Sequence, residues 1–385
     1  MFMEVTKRRN AELIEAAIQL HQTGAILPDT YVLDLDSIEA NGKQMQAAAV
    51  EHGIELFYMT KQFGRNPLIA QKLVELGITH AVVVDFREAQ VMMDHHLPLG
   101  NVGHLVQIPQ HLLETVINYG SKYITVYSLE MLNKIDEIAK RLGKKQDVLI
   151  RIVSDEDQLY PGQYGGFKIE ELIDQLPEIK KYQSAQVKGL TSFPCFLFNS
   201  ETKELEATHN VQTIQKAQAI FSEAGVPLRE LNIPSATCSE TIPFIKTLGG
   251  TQGEPGHALT GTTPMHALVD LPEKPAMVYV SEISHQFEEH SYCFGGGYYR
   301  RGHLENVLLD NGEERYQAKM EHFADENIDY YLGIKGKHGI GATAIMAFRT
   351  QIFVTRSQVA VVSGIQVGKP KIEGIYDSQG KLISR

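Results

Sequence analysis

The sequence predicts an α/β protein in which a (β/α)8 barrel is followed by a mostly-β C-terminal domain. Short apolar runs, rich in β-branched residues, alternate with amphipathic stretches from about residue 55 to about residue 265. Eight such runs can be drawn, which is the strand count of a (β/α)8 barrel. After Pro264 the chain changes to strand-like runs separated by turn residues, as is typical of a β-rich domain.

The predicted barrel strands are apolar along most of their length, as expected for a parallel sheet that is covered on both faces. They are Leu56–Thr60, Ala81–Val84, Val102–Ile108, Tyr123–Tyr127, Val148–Val153, Val187–Ser192, Glu230–Pro234 and Gly249–Gly253. Helices are predicted between them at Pro67–Gly77, Leu129–Leu142 and Gln212–Gly225. Each of these stretches places most of its apolar side chains on one helical face.

The change after Pro264, from alternating strand and helix patterns to strand patterns separated by turns, also predicts the domain boundaries. Strands of the second domain are predicted at Ala276–Ile283, Ser291–Tyr299, Asn306–Leu309, Ile345–Val354 and Gln358–Val367. Thr30–Asp36 also has the pattern of a strand, and it could pair with the C-terminal sheet. We therefore predict an N-terminal segment at residues 1–36, a barrel at residues 37–268 and a β-rich domain at residues 269–385.

Composition excludes several classes of function. The 385-residue chain carries a net charge of −11, which argues against nucleic acid or an anionic membrane as its main partner. No window approaches eighteen apolar residues, and Met1–Asn10 is too polar for a signal peptide. Three widely separated cysteines indicate a reducing compartment rather than disulfides. We expect a cytoplasmic protein.

Lys61 is the first candidate for chemistry because it follows the predicted strand Leu56–Thr60. In a (β/α)8 barrel the carboxyl ends of the strands build the active site. Apolar surroundings there would favour the neutral amine, which could form an imine with a carbonyl group. The alternative is a solvated lysine at a strand end.

Two loops near the end of the predicted barrel could hold a phosphate. The stretch Gly249–His257 contains four glycines, which let backbone N–H groups approach an anion closely. The loop Ser235–Ser239 is rich in hydroxyl groups. Phosphate sites in such barrels favour the loops after the seventh and eighth strands. The alternative is that both loops are ordinary turns with a helix cap.

The stretch Ser291–Arg301 holds a glycine triplet flanked by cysteine and tyrosine side chains that could transfer a proton. A tight strand crossing with aromatic packing is the alternative. The fifteen histidines are scattered, and the spacing of His285 and His290 is too weak to predict a metal site.

Taken in chain order, these features resemble the fold-type III enzymes that use pyridoxal 5′-phosphate (PLP), the group of alanine racemase and ornithine decarboxylase. The matching segments are Thr30–Asn41 (the opening motif), Phe57–Gly64 (the imine lysine), Gly77–Ala89 (the next strand), Val148–Ile152 (a strand with a basic residue) and Gly189–Phe193 (the ring-stacking position). The resemblance covers most of the chain and implies that Lys61 holds PLP as an imine. Tyr58–Pro67 is similar, more narrowly, to the bacterial YhfX-type branch, which implies no particular reaction.

The most specific match is Glu254-Pro255-Gly256-His257. Alanine racemases carry Arg-Pro-Gly at this point, whereas the decarboxylases carry Glu-Pro-Gly-Arg. The resemblance implies that Gly256 and His257 hold the cofactor phosphate through backbone N–H groups, with Ser235 and Thr237 nearby. It also implies that Glu254 faces the pyridine nitrogen, where a carboxylate keeps that nitrogen protonated and the ring a strong electron sink.

The chain departs from the family pattern at three further positions that bind the cofactor or the substrate. Phe193 stands where other members place a ring-stacking histidine. Arg65 stands where alanine racemases have a phosphate-binding tyrosine, and it could replace that tyrosine by charge. Tyr164 stands where racemases have a substrate-binding arginine.

In this group a second catalytic residue comes from the β domain of a partner subunit, so the resemblance implies a homodimer with shared active sites. The strand usually contains Tyr-Gly or Asp-x-Gly. Cys293-Phe294-Gly295 matches the second pattern with cysteine in place of aspartate. Cys293 is therefore the candidate second catalytic residue, with Tyr292 and Tyr298 behind it. A thiol can serve as acid or base if its pKa is tuned.

The resemblance implies an enzyme that acts at the α carbon of a small amino acid substrate. We favour proton transfer there, as in an amino acid racemase or a related isomerase. A PLP-dependent decarboxylase or lyase is the alternative within the enzymes. Two further alternatives are a PLP carrier without turnover and a (β/α)8 protein without PLP.

Overall fold

The computed structural model describes residues 1–385, which divide into two compact units. The barrel unit consists of Lys43–Thr60 and Ala70–Gly256. The β unit consists of Met1–Gly42, Lys61–Ile69 and His257–Arg385. Each of these units is built from segments that are separated in the sequence. The domains predicted from the sequence are consecutive stretches of the chain, and that division stays a prediction.

The chain forms twenty-one strands and ten α-helices. The strands are β1 (Thr30–Asp34), β2 (Glu55–Met59), β3 (His80–Val82), β4 (Leu99–Val102), β5 (Tyr123–Val126), β6 (Gln146–Val153), β7 (Phe167–Lys168), β8 (Ala185–Thr191), β9 (Phe196–Phe198), β10 (Leu205–Ala207), β11 (Glu230–Asn232), β12 (Gln252–Gly253), β13 (Met277–Phe287), β14 (His290–Phe294), β15 (Asn306–Asp310), β16 (Arg315–Lys319), β17 (Tyr331–Lys335), β18 (Thr343–Met346), β19 (Gln358–Ser363), β20 (Lys371–Asp377) and β21 (Leu382–Ser384). The helices are α1 (Phe2–Arg9), α2 (Ala11–Gln22), α3 (Leu35–His52), α4 (Pro67–Glu75), α5 (Phe86–Asp94), α6 (Gln110–Tyr119), α7 (Leu129–Arg141), α8 (Leu172–Ile179), α9 (His209–Glu223) and α10 (Ile242–Thr247). None of these helices has the length and apolar character needed to cross a membrane.

Eight strands of the barrel unit close into a ring. Each pairs in parallel with the next in the order β2, β3, β4, β5, β6, β8, β11 and β12, and β12 pairs with β2. A closed sheet leaves no unpaired edge, so every strand end faces one of the two mouths of the ring. The predicted barrel fold is confirmed.

Helix α7 illustrates why the intervening segments fold as helices. The Oγ atom of Ser128 accepts a hydrogen bond from Met131 N at 3.3 Å, which caps the first turn. Leu132, Ile135 and Ala139 are buried on one face, while the charged residues occupy the other. The helix predicted at Leu129–Leu142 ends one residue earlier, at Arg141.

Strand β4, the third strand of the barrel, lies earlier in the chain than predicted. β4 ends at Val102, whereas the prediction placed the strand at Val102–Ile108. The apolar residues beyond Val102 belong to a loop that leads to α6 rather than to the sheet. His104 therefore lies beyond the carboxyl end of its strand, a position that the predicted strand concealed.

The β unit contains a sheet of β16, β15, β18, β13, β1, β19, β20 and β21, with β14 and β17 attached at β13. β1 is antiparallel to β13 and parallel to β19. Helices α1 and α2, which the sequence analysis did not identify, cover this sheet with Leu13, Ile14 and Ala17 in the core. The signal for α2 is an apolar face that begins after Asn10, whose side chain accepts a hydrogen bond from Leu13 N.

The strand predicted at Ile345–Val354 is wrong beyond Met346. Residues 347–351 are irregular and Ile352–Val354 form a 3-10 turn. The 3-10 turn buries only some of the apolar side chains of this segment. Ile352 is fully buried, whereas Val354 is 56% exposed. The strand predicted at Gln358–Val367 likewise ends at Ser363, before a 3-10 turn.

The glycine triplet of the β unit serves close packing around Asp29. A methyl group at Gly296 would come within 2.0 Å of Asp29 Oδ2, and Gly296 has a φ of +131°. Tyr279 Oη donates to Asp29 Oδ1 at 2.8 Å, and the Ser357 hydroxyl also donates to this oxygen. Burial raises the pKa of Asp29 to about 6, despite those two hydrogen bonds. The nearby charge of Asp329 raises this pKa further.

Replacing Asp29 by asparagine is expected to raise the free energy of unfolding at pH 8 by about 1–2 kcal/mol, after a discount for partial exposure. Because the pKa of Asp29 is raised in the fold, its contribution to stability is full below about pH 4. That contribution is lost as the pH rises through about 6. Asparagine cannot ionise, so the variant should keep its stability at pH 8, and asparagine tolerates the positive φ of 62°.

Urea unfolding at pH 4.5 and pH 8 measures this difference. Asp325→Asn, at a side chain that is 97% exposed, is the matched control; it retains Asp29 and should match the wild type at both pH values. A destabilised Asp29→Asn protein at pH 8 would contradict the prediction.

Candidate active site

The carboxyl ends of β2 and β12 bring two of the predicted segments together. These strands pair directly, with Gln252 opposite Glu55 and Gly253 opposite Leu56. Beyond the strands, Met59 N donates to Pro255 O at 2.9 Å. The chain therefore leaves the ring toward Lys61 from one strand and toward Glu254 from its neighbour.

Glu254 is a buried carboxylate of the barrel unit, with 6% of the residue exposed. Asn232 Nδ2 donates to its Oε1 at 3.0 Å. His104 Nε2 lies 3.4 Å from its Oε2. The backbone N–H of Glu254 donates to Thr237 Oγ1 at 2.9 Å. Both carboxylate oxygens and the backbone are thus fixed, which is the arrangement of a group held ready for a partner.

A row of polar side chains inside the ring orients Asn232. Thr191 Oγ1 donates to Asn232 Oδ1 at 2.7 Å, so the amide nitrogen of Asn232 must face the other way. That nitrogen donates to Gln252 Oε1 at 3.1 Å as well as to Glu254. The side chains of Thr191, Asn232, Gln252 and Glu254 are all buried. The hydrogen bond from Thr191 therefore fixes the orientation of the Asn232 amide, and that orientation fixes the hydrogen bonds to Gln252 and Glu254.

The hydroxyl groups of the loop after β11 form hydrogen bonds with the protein backbone. Ser235 Oγ accepts hydrogen bonds from the backbone of Cys195, at 2.8 Å, and of Phe196, at 3.4 Å. Thr237 Oγ1 donates to Pro234 O at 2.7 Å. Ala236 between them has a φ of +42°, a strained value for a residue other than glycine. The two hydroxyls thus shape the loop, and a phosphate contact through them remains a prediction.

Phe193 follows β8 and is half-buried. Its ring centroid lies 5.5 Å from that of Tyr160 and 6.1 Å from that of His104. The aromatic side chain is thus in the same group as the imidazole that contacts Glu254. Its predicted stacking on a cofactor ring is a proposal.

Arg151 on β6 lies at the centre of a second polar group. Its Nη1 donates to Tyr127 Oη at 2.7 Å, and its Nη2 donates to the carbonyl of Gln163 at 2.8 Å. The guanidinium also lies 5.0 Å from the centroid of the Tyr127 ring. Tyr164, in the same loop as Gln163, is 68% exposed. The loop that carries Tyr164 is therefore tied to the barrel by Arg151 rather than by the tyrosine.

In the β unit, Lys61 begins a short 3-10 helix, Lys61–Phe63, and is half-buried. The next residue, Gln62, has its side-chain Nε2 3.1 Å from His257 Nδ1. Arg349 Nε donates to His257 Nε2 at 3.2 Å. Burial lowers the pKa of His257 well below its usual value, and the positive charges of Arg349 and Lys61 lower it further. These surroundings favour the neutral form of the His257 imidazole, whose two nitrogens face Arg349 and Gln62.

Arg65 is also committed within the β unit. It is buried, with a φ of +52°, and its Nη1 donates to Gln379 Oε1 at 2.5 Å. Its guanidinium lies 5.1 Å from the centroid of the Phe353 ring. These contacts account for its burial, and its predicted phosphate contact remains a prediction.

Cys293 and Tyr292, on β14, lie in different environments. Cys293 is fully buried, and its Sγ lies 3.7 Å from Leu332 O, to which the thiol donates. Burial raises the pKa of that thiol to about 12, which opposes acid–base work near neutral pH. Tyr292 is half-buried, and its ring stacks on that of His285 with the centroids 5.0 Å apart. Of the pair, the tyrosine is the more accessible.

His104 and Asn232 are the residues that sequence reasoning missed. His104 was assigned to the interior of a predicted strand, and Asn232 was included in a strand without a role. A polar side chain at the carboxyl end of each barrel strand is the signal that could have found both.

Two family models match the chain. The model for the alanine racemase N-terminal domain matches residues 33–264. The model for the YhfX-like C-terminal domain matches residues 278–372. The first match spans more than half of the chain and includes Lys61 and Glu254.

Curated relatives extend this comparison. The uncharacterized protein YhfX of Escherichia coli (strain K12) is 44% identical over 385 residues, which cover 100% of both chains. An alanine racemase of Clostridium perfringens is 28% identical over 195 residues, 50% of this chain and 47% of the racemase.

Solved structures show the same fold at low identity. The alanine racemase of Clostridium difficile 630 has a TM-score of 0.66 and 18% identity, covering 91% of this chain and 99% of that chain. The D-threonine aldolase of Filomicrobium marinum has a TM-score of 0.64 and 14% identity, covering 92% and 95%. The diaminopimelate decarboxylase of Helicobacter pylori has a TM-score of 0.67 and 14% identity, covering 94% and 96%.

Proposed function

The chain belongs to the family of the alanine racemase N-terminal domain, and on that premise we propose that it is a PLP-dependent enzyme that transfers a proton at the α carbon of an amino acid. The racemase, the aldolase and the decarboxylase that share its fold are all named for reactions of amino acids. The proposed class is an amino acid racemase or a related isomerase.

The observation that carries the proposal is the buried carboxylate of Glu254 at the end of β12. It lies where the family places the residue that faces the pyridine nitrogen of the cofactor. Asn232 donates to one of its oxygens and His104 lies beside the other, so the carboxylate is held in place within the barrel. A protonated pyridine nitrogen would be a further partner of the kind that offsets the desolvation of a buried carboxylate.

The other residues fit PLP by their chemistry. Lys61 supplies a primary amine directly after β2, the strand that pairs with β12. The strained loop at Ala236 and the following glycines supply backbone N–H groups for a phosphate. A methyl group at Gly253 would come within 2.9 Å of Thr237 Cγ2, so the backbone approaches closely at this point. An amine, an anion-binding loop and a buried carboxylate are the groups that PLP requires.

When bound, PLP supplies an electron sink for the pair of electrons left at the α carbon. Glu254 would hold a proton on the pyridine nitrogen and so strengthen that sink. Lys61 would hold the cofactor and would move a proton to or from the α carbon. Phe193 would present an apolar ring face that excludes water from the cofactor.

We further propose that Tyr292, rather than Cys293, is the second proton donor. The burial of Cys293 and its raised pKa favour this change of candidate. As in the sequence-based hypothesis, the residue would come from the partner subunit of a homodimer. Removal of the α proton by one of Lys61 and Tyr292, and return of a proton by the other on the opposite face, would invert the α carbon.

Decarboxylation is the second candidate, because Glu254 rather than arginine follows β12. A protonated ring stabilises the carbanion left by loss of CO2 as well as that left by loss of a proton. Lysis of a side-chain bond belongs to the same class of reaction. A PLP carrier without turnover would need neither Tyr292 nor the fixed carboxylate.

Incubation with each common L- and D-amino acid will decide among these reactions. The purified protein is supplied with PLP, and chirality, amine and keto acid are followed together. We expect inversion of at least one amino acid without release of CO2. The same panel with protein freed of PLP is the control.

Amine formed without inversion would replace the racemase by the decarboxylase. Release of keto acid or aldehyde would indicate a lyase. A lysine-bound cofactor whose visible absorbance stays unchanged with every amino acid would favour the carrier.

A further inference from the structure

We propose that His104 is a positioning residue that holds the Glu254 carboxylate in its ionised form. This inference rests on the proposed function, since Glu254 matters as the partner of the pyridine nitrogen. His104 Nε2 lies 3.4 Å from Glu254 Oε2, and the two side chains are 4% and 2% exposed. A buried imidazole beside a buried carboxylate is an electrostatic pair rather than a surface contact.

The two oxygens of Glu254 have different kinds of neighbour. Oε1 accepts from the amide of Asn232, which is neutral and is held by Thr191. Oε2 faces His104, whose ring can carry a proton and a positive charge. Asn232 therefore sets the direction of the carboxylate, while His104 sets how readily the carboxylate keeps its charge.

The position of His104 is fixed independently of Glu254. Tyr127 Oη donates to the backbone carbonyl of His104 at 2.6 Å, and Tyr127 is itself held by Arg151. The edge of the imidazole lies against Phe193. The backbone of His104 is therefore held by Tyr127, and its ring has a contact with Phe193 that does not involve Glu254.

The physical consequence follows from burial. Desolvation favours the protonated form of a buried carboxyl, and a donor or positive charge beside it favours the ionised form. Removing His104 leaves Oε2 without that neighbour, so we expect the pKa of Glu254 to rise. A protonated Glu254 can no longer hold a proton on a ring nitrogen.

The test compares His104→Leu, which removes the ring nitrogens, with His104→Gln, which retains an N–H donor. The carboxyl of Glu254 is titrated in the apoprotein by carbon-13 NMR of labelled glutamate, and assigned by its absence in Glu254→Gln. We expect His104→Leu to raise the pKa of Glu254 by about one pH unit or more. His104→Gln should restore at least half of the difference.

The reverse measurement needs no change at His104. In Glu254→Gln, the pKa of the His104 imidazole, followed by nitrogen-15 NMR, should fall, because coupling between two groups is reciprocal. This keeps the proposal testable if His104→Leu does not fold.

Unchanged titration of Glu254 in His104→Leu, or of His104 in Glu254→Gln, would overturn the inference. Both titrations use the apoprotein, so their outcome does not depend on PLP chemistry. Coupling without activity on any amino acid would refute the proposed function and leave the role of His104 intact.

Discussion

Replacement of Lys61 by alanine should abolish the visible absorbance of the lysine-bound cofactor and lower turnover by about 10³-fold or more, the range seen when a covalent catalytic residue is removed. Lys61 is the only amine that the strand end of β2 supplies, directly after Thr60. The side chain is expected both to hold the cofactor and to move the proton, so its loss removes two functions at once.

The measurement is the absorbance of the purified protein, followed by reduction with borohydride and mass spectrometry of the peptides. The label should lie on the peptide that contains Lys61 in the wild type and be absent from the variant. Lys134→Ala, at a side chain that is 44% exposed on α7, is the matched control. A folded Lys61→Ala protein that retains the visible band would contradict the assignment of the lysine.

The sequence predicts those features of the fold and the site that are encoded by consecutive residues. The strand Leu56–Thr60 and the helix at Leu129–Leu142 were predicted within one or two residues, because their periodicity is carried by consecutive residues. β12 has only two residues, and its place in the ring was inferred from the count of eight rather than from its own pattern. The closure of the ring confirms that count.

Contacts between distant segments were beyond the sequence. His104 and Glu254 are 150 positions apart, and only the folded barrel brings them to 3.4 Å. The same holds for Asp29, whose packing against Gly296 explains a glycine motif for which the sequence left both proton transfer and a tight strand crossing open. Burial is the other missing quantity, because the thiol of Cys293 resembles a proton donor until its surroundings are known.

Glu254→Gln should lower turnover by about 10²-fold or more, comparable with the loss of one preorganised electrostatic group in an active site. The amide has the shape of the carboxylate and can still accept from Asn232, but it carries no negative charge. The pyridine nitrogen would then lose the partner that keeps it protonated, and the electron sink would weaken. The affinity for PLP should change much less, because the covalent link to Lys61 and the phosphate loop are retained.

Steady-state turnover, the pH dependence of the cofactor absorbance and the PLP affinity test this together. Glu55→Gln is the matched control: this carboxylate lies at the start of β2 and pairs with Lys122, at the opposite end of the strand from Met59. Equal turnover in Glu254→Gln and wild type would mean that the reaction does not depend on a protonated ring. Arginine stands at this position in alanine racemases, so Glu254→Arg tests whether a neutral ring is sufficient. Retained inversion would indicate racemisation on a neutral ring. Loss of activity in a Glu254→Arg protein that still folds and binds PLP would agree with reliance on the carboxylate.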